Sequence, residues 1–256
     1  MPCLSSPPSV APGLLAHVWR VGDLAAEEAV VSSGHAGLDS HLPGGGWPLG
    51  SLIEVLQQRP AQHVWPLLLP ALVRVSASQA GPIVLVGAPH EPFGPCLHSL
   101  GLPCERLLCV QAQDAPARLW AAEQALRCAE VAAVLAWLPQ ARSEQLRRLH
   151  LAARQQGRLL FVFRGWHARH EASPARLRLS VAGVDAMELH ILKRRGPTLA
   201  LPLRLPAFSA RVSALLHARK GLASAEASTD AGAVAEGAPG ASHRRSRVLD
   251  RSAAIA

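Results

Sequence analysis

Val31–Val64 reads VSSGHAGLDSHLPGGGWPLGSLIEVLQQRPAQHV. It passes from a Gly-rich turn into a short apolar strand, Leu52-Ile53-Glu54-Val55-Leu56, and then into the place where a phosphate-binding loop follows its strand. A working loop has the spacing G-x-x-x-x-G-K-[ST], in which glycines let backbone N–H groups surround the phosphates, the lysine neutralises them and the hydroxyl holds Mg²⁺. In the same register this chain has Gln57-Gln58-Arg59-Pro60-Ala61-Gln62-His63-Val64. Both glycines are glutamine, the lysine is histidine and the hydroxyl is valine, so charge and room for a triphosphate go together. Gln57, Gln62, His63 and Val64 mark what is left of the loop.

The rest of a nucleotide site is missing too. Ala132–Leu138 (AAVLAWL) reads as a buried strand, and where a carboxylate would help to hold Mg²⁺ it ends Ala136-Trp137-Leu138-Pro139. The only lysines are Lys193 and Lys220, so the first 192 residues offer no substitute. A G-x-S-x-G nucleophile elbow does not occur. Glu54, at the end of its strand and without a paired acid or base, reads as a hydrogen-bonding residue inside the fold. The expectation is a protein that is not an enzyme and takes no cofactor.

Outward from the strand, Val64–Val75 is the first core helix, irregular or late-starting because Pro70 falls in its interior. Ile83–Gly87 and Leu107–Val110 are continuous apolar runs of the kind buried on both faces of a parallel sheet. Pro116–Val131 places Leu119, Ala122, Leu126 and Ala129 on one helical stripe. Ser143 caps a helix reaching Gln156, with Leu146, Leu149 and Ala153 inward and Arg147, Arg148 and Arg154 outward, and Gly157 stops it. Leu159–Arg164 is the next buried strand, followed by the loop Gly165–Arg176. From Leu177 the period becomes two: Leu177, Leu179, Val181, then Leu189 and Ile191, then Leu199, Leu201, Leu203 and Leu205, with Arg195-Gly196-Pro197 turning the last pair. That is an antiparallel meander after a parallel set. Before the core, Leu14, Leu15, Val18 and Trp19 recur at helical spacing; beyond about Gly221 the chain is too poor in large apolar residues to fold alone.

The 256 residues are 49% apolar with a mean hydropathy of +0.17, and no apolar run approaches the length a membrane span needs. Met1–Pro12 carries no basic n-region, so the reading is cytoplasmic without a secretory signal. Five cysteines without a C-x-x-C pair are taken as free thiols, and His167 and His170 lack a third metal ligand. Residues 1–141 carry 6 basic and 10 acidic side chains, 142–220 carry 16 and 4, and 221–256 carry 4 and 4, so the surplus behind the net +8 is confined to one third of the chain. Such asymmetry points to an anionic partner, most simply nucleic acid, or else to a solvated basic face.

Ser33-Gly34, Gly37-Leu38-Asp39, Leu42, Gly45-Gly46, Pro48, Gly50 and Glu54 are spaced like the approach to the nucleotide loop of RecA. The LPGGGWPLGSLIE wording, with Leu119-Trp120-Ala121-Ala122-Glu123-Gln124-Ala125-Leu126 and Ala136-Trp137-Leu138-Pro139, more specifically resembles the ImuA family, RecA-related accessory proteins of bacterial mutagenic translesion synthesis; the likeness covers about Leu14 to Arg211. It implies an α/β, RecA-like P-loop-type core over 29–211 with a mainly parallel sheet, a C-terminal antiparallel meander and a degenerate phosphate loop. Residues 1–28 would be an N-terminal extension with a short amphipathic helix, and 212–256 a helix end and disordered tail. The implied partners are ImuB, a Y-family polymerase homologue, and an error-prone replicative-type polymerase in the damage-induced (SOS) response, with RecA filaments or single-stranded DNA, near the nucleoid and without a membrane. Arg147, Arg148, Arg154, Arg164, Trp166, Arg169, Arg176, Lys193, Arg194 and Arg195 are the residues expected to contact nucleic acid or partner. A related alternative is a SulA-like division inhibitor that binds FtsZ.

Overall fold

Every residue of the strand Ser51–Gln57 (β3) is buried, and the sheet is built around it. A short ribbon, Val30–Val31 (β1) against Trp47–Pro48 (β2), and the single-turn helix Ala36–Asp39 (α1) precede it. After it come Val64–Ser78 (α2), Ile83–Val86 (β4), Gly94–Ser99 (α3), Leu107–Val110 (β5), Ala115–Arg127 (α4), Ala133–Trp137 (β6), Ser143–Gln156 (α5), Leu159–Gly165 (β7), Leu177–Ala182 (β8), Ala186–Lys193 (β9) and Leu203–Pro206 (β10). The computed structural model describes residues 29–207 apart from positions 61, 185, 198 and 200, together with positions 214 and 218. The chain divides into two units, Met1–Phe208 and Ser209–Ala256, and all of these strands and helices belong to the first. Cys3, the amphipathic stretch Leu14–Trp19 and most of the expected C-terminal tail lie outside the described residues.

The eight-stranded sheet has the order β10-β9-β8-β3-β7-β6-β4-β5. From β5 to β8 all neighbours are parallel, while β8–β9 and β9–β10 are antiparallel. This is an α/β architecture with a mainly parallel sheet and an antiparallel end. Alternation along each strand divides the core. Ile53, Val55, Phe161 and Phe163 pack with Leu67, Leu68 and Leu72 of α2, whereas Leu52, Leu160 and Val162 pack with Leu119 and Leu126 of α4 and Leu146 and Leu149 of α5.

Several elements differ from expectation for identifiable reasons. Helix α2 starts at Val64 and continues through Pro70 to Ser78. Pro70 has no N–H to give the Pro66 carbonyl, but His35 Nε2 donates to that oxygen at 3.1 Å. The Gly34 turn fits against the same proline: with φ +82°, a Cβ added there would stand 2.3 Å from Pro70 Cβ. Strand β5 is the sheet edge and half exposed, unlike the fully buried β4 and β6. Helix α4 begins at Ala115, where Asp114 accepts a hydrogen bond from the Ala117 N–H at 2.6 Å, and ends before Ala129, which is exposed. In α5 the capping position is Arg142, whose backbone N–H donates to Gln145 Oε1 at 2.8 Å; Ser143 is the first helical residue, and Gly157 ends the helix in the left-handed conformation. Leu199 and Leu201 are outside the sheet, and Leu203 pairs with Leu189, so Arg195-Gly196-Pro197 belongs to a longer connection than a tight hairpin turn.

Candidate functional site

The approach to β3 is scaffolding. Asp39 accepts from Ser32 Oγ at 2.6 Å and from the Ser33 N–H at 2.8 Å, and Arg74 of α2 donates to Ser32 Oγ at 2.7 Å. Burial raises the Asp39 carboxyl, but these serine hydrogen bonds and the Arg74 charge outweigh it and hold the group below its ordinary value. Gly46 lets β2 run close to β1, since a Cβ there would lie 2.4 Å from the Val31 carbonyl oxygen. Trp47 is then buried edge-on against Phe161, ring centres 5.2 Å apart.

The β3–α2 connection is tied down by its own side chains. Gln57 Nε2 donates to the Gln62 carbonyl at 2.7 Å; Gln62 Nε2 and His63 Nε2 donate to the Gly183 carbonyl at 2.5 and 2.7 Å, joining the loop to the β8–β9 turn. His63 sits at φ 55°, among the described residues the only non-glycine in the left-handed region. Val64 is buried at the start of α2.

Beside this loop a cavity of about 520 Å³ opens at the carboxyl ends of β3, β4, β6 and β7, the crevice where ligands of parallel sheets bind. Gln57, Gln58, Pro60, Arg118, Trp137 and Phe163 help to line it. Arg118, Trp137 and Pro139 also line a second cavity of about 550 Å³ between the starts of α4 and α5. Trp137 is a packing residue, stacked on Phe163 with centroids 4.5 Å apart. Among the described residues no group of three His, Cys, Asp or Glu is placed to hold a metal ion.

All the predicted contact residues except Arg164 fall into three sets. Arg147, Arg148 and Arg154 are all exposed on α5, and Arg148 also reaches across to Glu123 of α4. Trp166 and Arg169 lie together after β7, the guanidinium 4.8 Å from the ring centroid. Arg176, Lys193, Arg194 and Arg195 line a pocket of about 380 Å³ with Pro43, Pro48 and Pro174. Within it Lys193 Nζ donates to the Ser173 carbonyl at 3.0 Å, and Arg194 donates to the carbonyls of His41 and Pro197.

Arg164 is not a contact residue. It is 4% exposed, and its guanidinium donates to Glu54 Oε1 at 3.0 Å and Glu171 Oε2 at 2.5 Å. Glu54 is mid-strand and fully buried, and its other oxygen accepts from Arg178 Nε at 2.6 Å. Arg178 also donates to the carbonyls of Ala168, Arg169 and Glu171, so the network pins the β7–β8 connection onto the sheet. In sequence Arg178 stands at an outward position between Leu177 and Leu179; the 166–176 segment covers that face, and only the burial of Glu54 on the same side of neighbouring β3 signals it. The Arg164 hydrogen bond comes first among the causes that hold the Glu171 carboxyl below its ordinary value, against a smaller opposing effect of burial.

The fold and site define an α/β protein whose crevice at the strand ends carries amide, aromatic and cationic groups, and whose basic surface lies on the later elements. The sequences similar to it are of two kinds. The chain is 32% identical over 111 residues to the cell division inhibitor SulA of Edwardsiella piscicida, an overlap of 43% of this chain and 66% of that protein. It is 32% identical over 132 residues to protein ImuA of Caulobacter vibrioides in two strains, covering 50% of this chain and 54% of ImuA. The likeness to the ImuA family, and through it to SulA, is thus shared by curated relatives, and the chain spans about half of ImuA and just under two thirds of SulA. No protein-family model matches the chain.

Proposed function

We propose that this chain is a RecA-like scaffold with a degenerate phosphate loop, acting without catalysis as an accessory protein of damage-induced mutagenic translesion synthesis. The observation that carries the reading is the tied β3–α2 loop: the side-chain N–H groups of Gln57, Gln62 and His63 donate to the Gln62 and Gly183 carbonyls, at the place where a nucleotide protein keeps glycines and a lysine. The relatedness to ImuA supplies the process. Partners in this reading are an ImuB-like Y-family polymerase homologue and an error-prone polymerase, and the basic pocket around Arg176 and Lys193–Arg195 engages single-stranded DNA or a RecA filament.

The test is co-purification of the tagged full chain with ImuB from DNA-damaged cells, alongside the damage-induced mutation frequency of a deletion strain. Recovery of ImuB and loss of induced mutagenesis are expected; an unchanged mutation frequency overturns the reading. A second reading, a division inhibitor acting on FtsZ, is favoured by one observation: the match to SulA spans a larger share of that relative than the match to ImuA does. Recovery of FtsZ in place of ImuB, with filamentous cells on overexpression, would establish it.

A further inference from the structure

Trp120 stands on the outer side of α4 with 65% of its surface exposed, although the Leu119, Ala122 and Leu126 around it are buried. A tryptophan left in water on a rigid helix is a common anchor of protein–protein contacts. One turn further along the same stripe is Glu123, whose carboxylate is buried and accepts from two arginines: Arg127 at 2.6 Å on its own helix and Arg148 from α5. The side chains of these arginines remain 59% and 62% exposed, so each is anchored at one nitrogen and keeps donors facing solvent. One buried carboxylate cannot neutralise two guanidinium groups, and the link keeps a positive charge. One turn beyond Arg148 lies Leu151, 51% exposed, flanked along α5 by the exposed Arg147 and Arg154.

We propose that the seam between α4 and α5 is a docking surface for an acidic amphipathic helical segment of a protein partner. Two apolar anchors, one per helix, flank a fixed pair of arginines, and axes of packed helices lie about 8–10 Å apart. That spacing suits the i, i+3, i+4, i+7 stripe of a third helix laid along the seam. Charge selects an acidic one: the outer surface of α5 offers Arg147, Arg148 and Arg154 against Glu144. The aliphatic anchor Leu151 favours a protein segment over a nucleic acid, whose bases use aromatic platforms. Because Arg127 and Arg148 are held in place, little side-chain entropy is lost when they bind. The inference does not depend on the state of the β3–α2 loop or on the DNA-binding reading.

The test uses the full chain and a fluorescein-labelled helical peptide with leucines at i, i+3, i+4 and i+7 and glutamates between, followed by anisotropy at low salt. A labelled oligothymidylate is the comparison probe. The peptide should bind, Trp120→Ala should weaken it about thirtyfold, and Trp120→Phe should recover part of the loss. Arg148→Gln should weaken binding and lower its salt dependence, while Arg147→Gln at the rim changes it about twofold or less. Trp120→Ala and Arg147→Gln alter exposed side chains, and unchanged circular dichroism confirms that they fold. Peptide binding indifferent to Trp120→Ala overturns the proposal. So does absence of peptide binding at low salt, or oligothymidylate alone binding in a Trp120-dependent way, which would make the seam a nucleic-acid surface.

Discussion

Replacing Glu54 by glutamine tests whether the buried ionic network governs the β7–β8 connection. Glu54 is wholly inaccessible, and both carboxylate oxygens are engaged, by Arg164 at 3.0 Å and Arg178 at 2.6 Å. Glutamine keeps one acceptor and turns an amide against the other guanidinium, leaving a buried charge without its counter-ion. Breaking a buried pair from one side costs about 3–5 kcal/mol. Arg164 keeps Glu171, and Arg178 keeps the carbonyls of Ala168, Arg169 and Glu171, so the lower end, about 3 kcal/mol, is expected. For a domain of this size that is a fall in Tm of about 6–12 °C, and a large share of a total stability of about 5–15 kcal/mol. The assay is urea unfolding at pH 7, with the midpoint lowered and the slope unchanged. Trypsin should also cut the variant faster after Arg169 and Arg176, because Arg178, without its charged partner on β3, holds that segment through carbonyl hydrogen bonds alone and less firmly. A midpoint shift worth under about 1 kcal/mol, with the wild-type cleavage pattern, would refute this account.

Four further outcomes are expected at other sites. Burial, helped by the Arg154 charge, holds His150 below its ordinary value of 6.5, and its Nδ1 accepts the Leu52 N–H at 3.1 Å, which requires the neutral ring. Its contribution is therefore present above 6.5 and lost as pH falls through the depressed folded value; His150→Asn should flatten the stability profile in that window. Glu171 behaves alike at lower pH, contributing above its ordinary 4.5 and losing the contribution as pH falls through its lowered value. Because its side chain is 48% exposed, Glu171→Gln should remove under about 1 kcal/mol of the acid limb of urea unfolding. Gly34→Ala places a Cβ 2.3 Å from that of Pro70 at φ +82° and should destabilise by about 2–3 kcal/mol in the same assay, with a loss below 1 kcal/mol contradicting the packing. Millimolar ATP with Mg²⁺ should leave Tm unchanged, whereas a micromolar site would add about 4 kcal/mol at a thousandfold excess over Kd.

How much of the fold the sequence disclosed depends on the range over which each signal acts. Strands β3, β4, β6 and β7 are continuous apolar runs, and their burial could be read locally. Strand β5 carries a similar run, yet sheet order puts it at the edge, and order is not a local property. The passage of α2 through Pro70 depends on His35, 31 residues upstream of the carbonyl it satisfies. Arg164 looks like one of many surface cations until the chain brings it to Glu54, 110 residues away. The same long-range pairing hid Glu123, which reads as an ordinary polar helix residue and is instead the buried anchor of Arg127 and Arg148. By contrast Arg176 and Lys193–Arg195, singled out as basic residues, do converge on one pocket.

The residues of the β3–α2 loop have structural work of their own, which bears on how the crevice beside them is read. Lysine at position 63 would remove the His63 contact to the Gly183 carbonyl, and glycine at 57 would remove the contact from Gln57 to the Gln62 carbonyl. Each change would thus loosen the β3–α2 loop or its junction with the β8–β9 turn. Three side-chain hydrogen bonds thus hold this loop to itself and to a neighbouring turn. The cavity of about 520 Å³ at the strand ends beside it is walled by Pro60, Trp137 and Phe163 among others. In the accessory-protein reading proposed above, a loop tied in this way leaves the outer surfaces of the fold as the place where partners are met.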